Sequence, residues 1–511
     1  MKYVFAICFV VLVAAGGAIT LTEPDLSSDV PVLYWVTDSN PARIRQVEEF
    51  HEWLKERGHV TADGKPTMEL RLDTASRDGS KQLIQSVAGV AGDIMDCDIR
   101  EMHSLGVLAD VTERAERLGF GTDKTYPALD PVLRLDGRQY GFPCNVAIIS
   151  MWSNPATFLE LGLEPPGREW TIDEFEALGR EFVKRANPPG QRQTVFFCNS
   201  VTSWQGTRML ITMHRSLGLS MFNETMTAAT TDDPRYAWVL AKVRQWTYED
   251  NLMPTAAEES SFASEAGYGG AELPLFVEGR YGLILAGRWG VIRLRDYVDP
   301  PEVRLSYFPT VDGGWANDVI ASRAAAIYAG SDYSELAALF LAFLASEQYN
   351  SLIVLDGDAL PPNPAFADTP EFNRPADHPN EWDIHAPTFR TAMHRSVALS
   401  ESPFIASGTT RRLAGQALER VMASPMMATP EQAATSLQRQ INEEIRVTIR
   451  ESEPLRRRFE ELVRTQERID AYRAEGKAVP LVWITNPFHR RYYVEMGWAE
   501  EQASTAGEES L

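Results

Sequence analysis

Hydrophobic positions along the first third of the chain switch between a continuous run and a helical period. Val32, Leu33, Tyr34, Trp35 and Val36 form a short apolar run, which predicts a buried strand over 30–37. The turn Asp38-Ser39-Asn40-Pro41 ends it. Ile44, Val47, Phe50 and Leu54 then recur at helical spacing, with Arg43, Arg45, Glu48, Glu49 and Lys55 assigned to the opposite face. Residues 68–72 predict the next strand, and 80–89 a helix with Leu83, Ile84 and Val87 turned inward. Strand–helix–strand–helix order is the signature of a parallel sheet.

A second unit begins near Ile148. Thr171 and Glu174 are spaced as a capping box, followed by Phe175, Leu178 and Phe182 on one helical face. Asn187-Pro188-Pro189-Gly190 stops that helix. Helical patterns recur over 234–249 and 333–346; the latter is apolar on nearly all sides, as a packed helix is. Proline-rich breaks are expected at 361–364 and around 370–387. From 433 to 474 the chain is rich in Arg and Glu and helical in pattern, interrupted at Pro454 and ended by Gly476. The tail Val479-Pro480 to Asn486-Pro487 resembles Val30-Pro31 to Asn40-Pro41, and reads either as a second copy of the first strand–turn–helix unit or as a strand that docks on the body.

The length of 511 residues corresponds to three units at roughly 150 residues per domain. A net charge of −22 argues against nucleic acid and against an anionic membrane surface, since both demand a basic face. Cys8, Cys97, Cys144 and Cys198 have no C-x-x-C spacing, which disfavours a zinc ribbon or a disulfide framework. Met1-Lys2 followed by the apolar stretch 3–21 and small residues near Ala18 reads as a secretory signal or an uncleaved N-terminal anchor over 1–22. Both place the remainder outside the cytoplasm.

Familiar catalytic constellations are missing: there is no G-x-S-x-G, P-loop or G-x-G-x-x-G. No cofactor is expected. Asp93, Asp96 and Asp98 lack the Gly turn and bidentate Glu of a calcium loop, so no metal is expected either. The informative chemistry is aromatic. Of 12 tryptophans, Trp35, Trp152, Trp204, Trp289 and Trp315 fall beside polar residues in predicted loops or strand ends. Trp289 lies in Gly287-Arg288-Trp289-Gly290, and Trp315 follows Gly313-Gly314. A flat ring covers the C–H face of a sugar, while Asp, Asn and Arg take its hydroxyls.

Four ordered segments carry a resemblance to the extracellular solute-binding proteins of ABC transporters, in the carbohydrate-type group that includes maltose-binding proteins. They are Gly92-Asp93-Ile94-Met95-Asp96 with Leu105–Val111, then Leu135–Pro143, then Asn154 through Trp170 and Asp173-Glu174-Phe175, then Phe276–Gly282 through Gly287-Arg288-Trp289. The resemblance covers residues 30 to about 440. It implies an α/β, two-lobed periplasmic-binding-protein fold of the class II type with discontinuous lobes and a hinge. Residues 30–148 and 313–355 would form lobe one and 149–312 and 356–440 lobe two, with 441–511 a helical C-terminal extension and strand-like tail. It further implies a carbohydrate ligand, ABC permease subunits as partners and a periplasmic or extracytoplasmic location. The cleft would be lined by Trp35, Asp38, Asn40, Asp96, Asp98, Asn145, Trp152, Trp204, Arg288, Trp289, Trp315 and Asp318. The alternatives are an extracytoplasmic enzyme acting on polysaccharide through two carboxylates, or a sugar sensor unlinked to transport.

Overall fold

The computed structural model describes residues 28–76, 79–189, 194–198, 203–262 and 272–500; the expected signal or anchor over 1–22 lies outside them. The strands of the two main sheets are, in chain order, β1 (Val32–Val36), β2 (Glu69–Asp73), β3 (Ile94–Asp96), β4 (Gly141–Ala147), β5 (Ser150–Ser153), β6 (Val195–Cys198), β7 (Tyr281–Ala286), β8 (Arg304–Ser306) and β9 (Ala321–Ile327). The helices that matter below are α1 (Ala42–Glu56), α2 (Gly79–Ala88), α3 (Ile99–Ser104), α4 (Ile172–Ala186), α5 (Trp204–Ser216), α6 (Pro234–Tyr248), α7 (Gly290–Leu294), α8 (Ser334–Leu344), α9 (Glu347–Asp356), α10 (Trp382–His394), α11 (Ser407–Met422), α12 (Pro430–Glu451), α13 (Glu453–Ala474) and α14 (Pro487–Glu495).

The first sheet has the order β2-β1-β3-β9-β4, with β1 parallel to β2 and β3 and β9 antiparallel to both its neighbours. The second has the order β8-β5-β7-β6. The chain crosses between them after β4 and again between β8 and β9, so the first lobe is discontinuous in sequence. Helix α8 buries eight of its residues in the first lobe against Trp35, Phe50 and Leu54, which explains its all-round apolar composition. The second lobe packs Phe158, Phe175, Phe182, Phe196 and Trp246 at its centre. Its α4 starts with the capping box expected from Thr171 and Glu174.

Two helix faces and one expected break differ from the sequence pattern. Ile84 and Val87 of α2 are exposed, while Gln82 and Ser86 are buried. Gln82 donates to the carbonyl of Asp96 at 3.1 Å and Tyr328 donates to the carbonyl of Ser86 at 3.0 Å; these bonds set the roll of the helix. Arg43, assigned to solvent, is buried because Asp38 and Asp358 receive it. Pro387 sits inside α10 rather than at a break, on a helix whose Ile384, His385 and Thr388 are buried.

Residues 356–398, placed in lobe two by the resemblance, contact both lobes. Leu360, Phe372 and Ala392 share a core with Tyr126, Leu129 and Ile320, whereas Ile384 joins Trp152 and Leu305. Helix α12 crosses the boundary expected at 440, with Leu437, Ile441 and Ile445 in the second-lobe core; it meets α13 at Ser452, and α14 follows. Leu481–Trp483 is a 3-10 turn, and Val479–Pro480 pairs with Ala499–Glu500 instead of joining either main sheet. Glu224 of the second lobe anchors this tail: it accepts from Arg473 at 2.7 Å and from Gln466 at 2.8 Å, and its carbonyl receives the backbone N–H of Asn486.

Candidate functional site

The ends of β1 and β3 and the neighbouring strands β9 and β4 bring together a charged floor. Arg43, in the first turn of α1, donates Nε to Asp38 Oδ1 at 2.8 Å and Nη1 to Asp358 Oδ2 at 2.5 Å. Burial and the charge of Arg323 oppose its ionisation, but Asp358 and Asp38 outweigh them and hold the guanidinium above its ordinary value. Asp358 is pulled below the usual carboxylate range in return: burial opposes this, and Arg43 and Arg323 overcome it. Asn145 Nδ2 donates to the other oxygen of Asp358 at 3.1 Å.

Arg323 projects from β9 and donates Nη1 to Asp96 Oδ2 at 2.6 Å and to Thr37 Oγ1 at 2.8 Å. Asp96 also accepts from Trp35 Nε1 at 2.8 Å. Its two oxygens thus tie β1, β3 and β9 together.

Above this floor lies a cleft of about 780 Å³, within the range that holds a small ligand. Asp38, Arg43, Asp96, Asn145, Arg323 and Asp358 line the first-lobe side. Gln205, Arg208, Met226, Glu272 and Trp289 line the facing side, and Pro487 of the tail reaches the rim. Arg411 of α11 spans the gap, donating to Asp98 at 2.8 Å and to Glu101 at 2.9 Å. Glu401, beside Arg100 and Arg411, is pushed up to about 7 by burial first and by Asp98 second.

Of the residues expected at the cleft, the structure brings Asp38, Asp96, Asp98, Asn145 and Trp289 together there. The side chain of Trp204 lies outside the described residues, although Trp204 opens α5. Six others are placed elsewhere, each for a definite reason. Trp35 is buried beneath the floor, its ring 4.7 Å from Phe340. Asn40 is buried in the turn before α1, where its Oδ1 accepts the Ala42 N–H at 3.0 Å. Trp152 is a buried core residue of β5, packed against Gly290.

Arg288 is buried and donates to the carbonyls of Val354 at 3.1 Å and Ala359 at 2.7 Å, which finishes the C-terminal end of α9. Trp315 is covered by α14, with Phe488 and Tyr492 each 5.5 Å away edge-on. Asp318 is buried in a short strand pairing Asp318–Val319 with Ser396–Val397, and burial pushes its carboxyl up to about 7.

Sequence reasoning missed Arg43, Arg323 and Asp358. For Arg323 there was a signal: a lone arginine inside the strand run Ala321-Ser322-Arg323-Ala324-Ala325-Ala326. The two remaining acids of the early cluster are also engaged, Asp93 by Ser331 and Tyr34, and Asp98 by Arg411. Cys97 and Cys144 are free thiols. Among the described residues no group of His, Cys, Asp and Glu could hold a metal ion.

The sequence pattern described as bacterial extracellular solute-binding protein matches residues 65–351. No curated protein matches the chain in sequence. Solved structures match it in fold. An ABC substrate-binding protein from Listeria monocytogenes in complex with cycloalternan aligns with a TM-score of 0.65 at 18% identity, covering 81% of this chain and 99% of that one. Maltose-bound MalE3 of T. maritima aligns with a TM-score of 0.64 at 14% identity, covering 82% and 100%. A cyclic alpha-maltosyl-1,6-maltose binding protein from Arthrobacter globiformis aligns with a TM-score of 0.61 at 16% identity, covering 82% and 99%. At these identities the likeness establishes the two-lobed α/β fold.

Proposed function

The chain belongs to the bacterial extracellular solute-binding proteins, and on that premise we propose that it is an exported receptor that captures a carbohydrate between its lobes and delivers it to an ABC importer permease. Trp289 carries the reading. It lines the same cleft as Asp38, Asn145 and Arg323, so an aromatic ring and hydrogen-bonding groups are available to one ligand. The structurally similar proteins bound to cycloalternan and to maltose support the same ligand class. Residues 1–22 serve as the export signal or hold the receptor at the inner membrane.

Contacts made by both lobes exist only when the cleft is closed, so ligand shifts the population toward the closed form. The permease then reads that form. The receptor binds without turnover, since no step of bond cleavage is needed for delivery.

The test is a titration of the folded protein with a broad panel of neutral mono- and oligosaccharides, read by tryptophan fluorescence and by small-angle scattering. One sugar should change the fluorescence and compact the molecule. Folded protein that does neither across the panel defeats the reading. New reducing ends appearing on incubation would identify a hydrolase instead.

A further inference from the structure

Arg323 is the unusual member of the cleft floor. Its side chain is only 9% exposed, and its Nη1 is fully used by Asp96 and Thr37. Among the described residues Nε and Nη2 have no hydrogen-bond partner, although both are buried and the residue lines the cleft. Asp38 Oδ2 lies 3.8 Å from Nε, beyond hydrogen-bond range. Nε–H and one Nη2–H form a side-on fork that points two parallel donors in one direction. A buried donor pair without a partner is costly, and the cost disappears when a ligand supplies two acceptor oxygens at the spacing of the fork.

Two kinds of ligand offer such oxygens: an anionic group, carboxylate or phosphate, or the adjacent hydroxyls of a neutral sugar. The charges of the floor choose between them, since the facing wall adds one group of each sign, Arg208 and Glu272. Asp38, Asp96 and Asp358 face Arg43 and Arg323, so three carboxylates stand against two guanidinium groups. The floor already carries one excess negative charge. A further carboxylate would add to it at close range in a partly dry site, whereas a diol adds none. The hydroxyl hydrogens of a diol can also turn toward the carboxylate of Asp38 beside the fork.

Resting on the carbohydrate reading above, we propose that Arg323 is a specificity-determining residue whose Nε–Nη2 edge grips two adjacent hydroxyls of a neutral sugar, and that the floor of the cleft rejects the corresponding uronic acids.

The experiment uses isothermal titration of the full chain with neutral sugars (maltose, cellobiose, xylobiose, glucose, galactose) and with glucuronate and galacturonate. Monodeoxy analogues of the best neutral binder follow. Arg323→Lys keeps the charge beside Asp96 but loses the fork, and should bind the best sugar at least 30-fold more weakly. For the wild type, removing either hydroxyl of one adjacent pair should cost at least tenfold, and the same removal should cost Arg323→Lys less than threefold. The uronates should bind at least tenfold more weakly than their neutral counterparts.

Arg323→Lys binding within threefold of wild type overturns the inference, as does tighter binding of a uronate. Should Arg323→Lys not fold, the deoxy series on wild type decides, and a series with no sensitive adjacent pair overturns the inference. Wild type binding no sugar overturns the carbohydrate reading itself and this inference with it; a neutral sugar bound without need of Arg323 overturns the inference alone.

Discussion

Trp315 donates its indole N–H to Glu495 Oε2 at 2.5 Å across 180 residues of chain. The partner belongs to α14, in a tail that extends beyond the two main sheets. The bond places a tryptophan expected at the ligand under a lid of the protein's own making, with Phe488 and Tyr492 closing the sides.

Removal of residues 477–511 should therefore lower the melting temperature, because Trp315 loses its cover. Phe488→Ala alone should cost about 3–5 kcal/mol, as for a fully buried phenylalanine. Denaturant unfolding of both variants checks this; unchanged midpoints would show that the tail contributes nothing to the folded state.

Trp289 and Gly287 are coupled. A Cβ on Gly287 would lie 1.7 Å from Cζ3 of Trp289, so Gly287→Ala must move the ring. Trp289→Ala should weaken sugar binding by roughly 1–3 kcal/mol if the ring stacks on the ligand. Gly287→Ala should reproduce part of that loss together with a changed near-ultraviolet dichroism. Full affinity in both variants would return Trp289 to a packing role.

The buried chain Arg288–His385–Glu381 predicts an acid-sensitive fold. His385 Nδ1 accepts from Arg288 Nε at 3.0 Å, and Nε2 lies 3.2 Å from Glu381 Oε1. Burial first, opposed by the Glu381 bond and reinforced by Arg288, holds the imidazole down to about 4. Its folded value lies below its ordinary one near 6.5, so the folded state resists a proton that the unfolded chain accepts. The stabilisation is whole above pH 6.5 and is lost as pH falls through 4, in total roughly 3 kcal/mol.

Asp318 and Glu401, both pushed up to about 7, act in the opposite sense: their share is whole below their ordinary carboxylate values and fades as pH rises through 7. The share of His385 is therefore read as a difference. Urea unfolding of wild type and His385→Asn between pH 4 and 7 should show a steeper acid loss in wild type. Equal slopes would assign the acid sensitivity to other groups.

Arg411 joins α11 of the second lobe to Asp98 and Glu101 at the start of α3 in the first. The guanidinium is about half exposed, and exposed pairs are worth little, so Arg411→Ala should change unfolding free energy by less than about 1 kcal/mol. On the proposed hinge closure, its effect should fall on the balance between open and closed clefts. Sugar affinity should fall by a fewfold in low salt, and the difference from wild type should shrink in 0.5 M salt as screening removes it (the Debye length falls below about 8 Å). A difference independent of salt would contradict an ionic tie.

Much of the architecture was written locally. The apolar run at Val32–Val36, the Thr171–Glu174 box and the all-round apolar helix α8 are each decided by neighbours a few residues apart, and each formed as the pattern implied. Helix faces were harder. Ile84 and Val87 look inward by hydrophobicity, but Gln82 and Ser86 carry the hydrogen bonds that roll α2 the other way. The cleft was legible only in part, through the acids at strand ends and Trp289.

By itself, then, the sequence determined the succession of strands and helices, the caps, and the family pattern, because periodicity and capping act within one or two turns of chain. Only the tertiary structure decided which charges meet. Arg43 with Asp358, Arg323 with Asp96, and Trp315 with Glu495 are separated by 315, 227 and 180 residues. Pairings at that range depend on which strand lies beside which and on where the tail docks. No local rule carries that information, and on it rests the difference between a tryptophan that meets a ligand and one that holds the fold together.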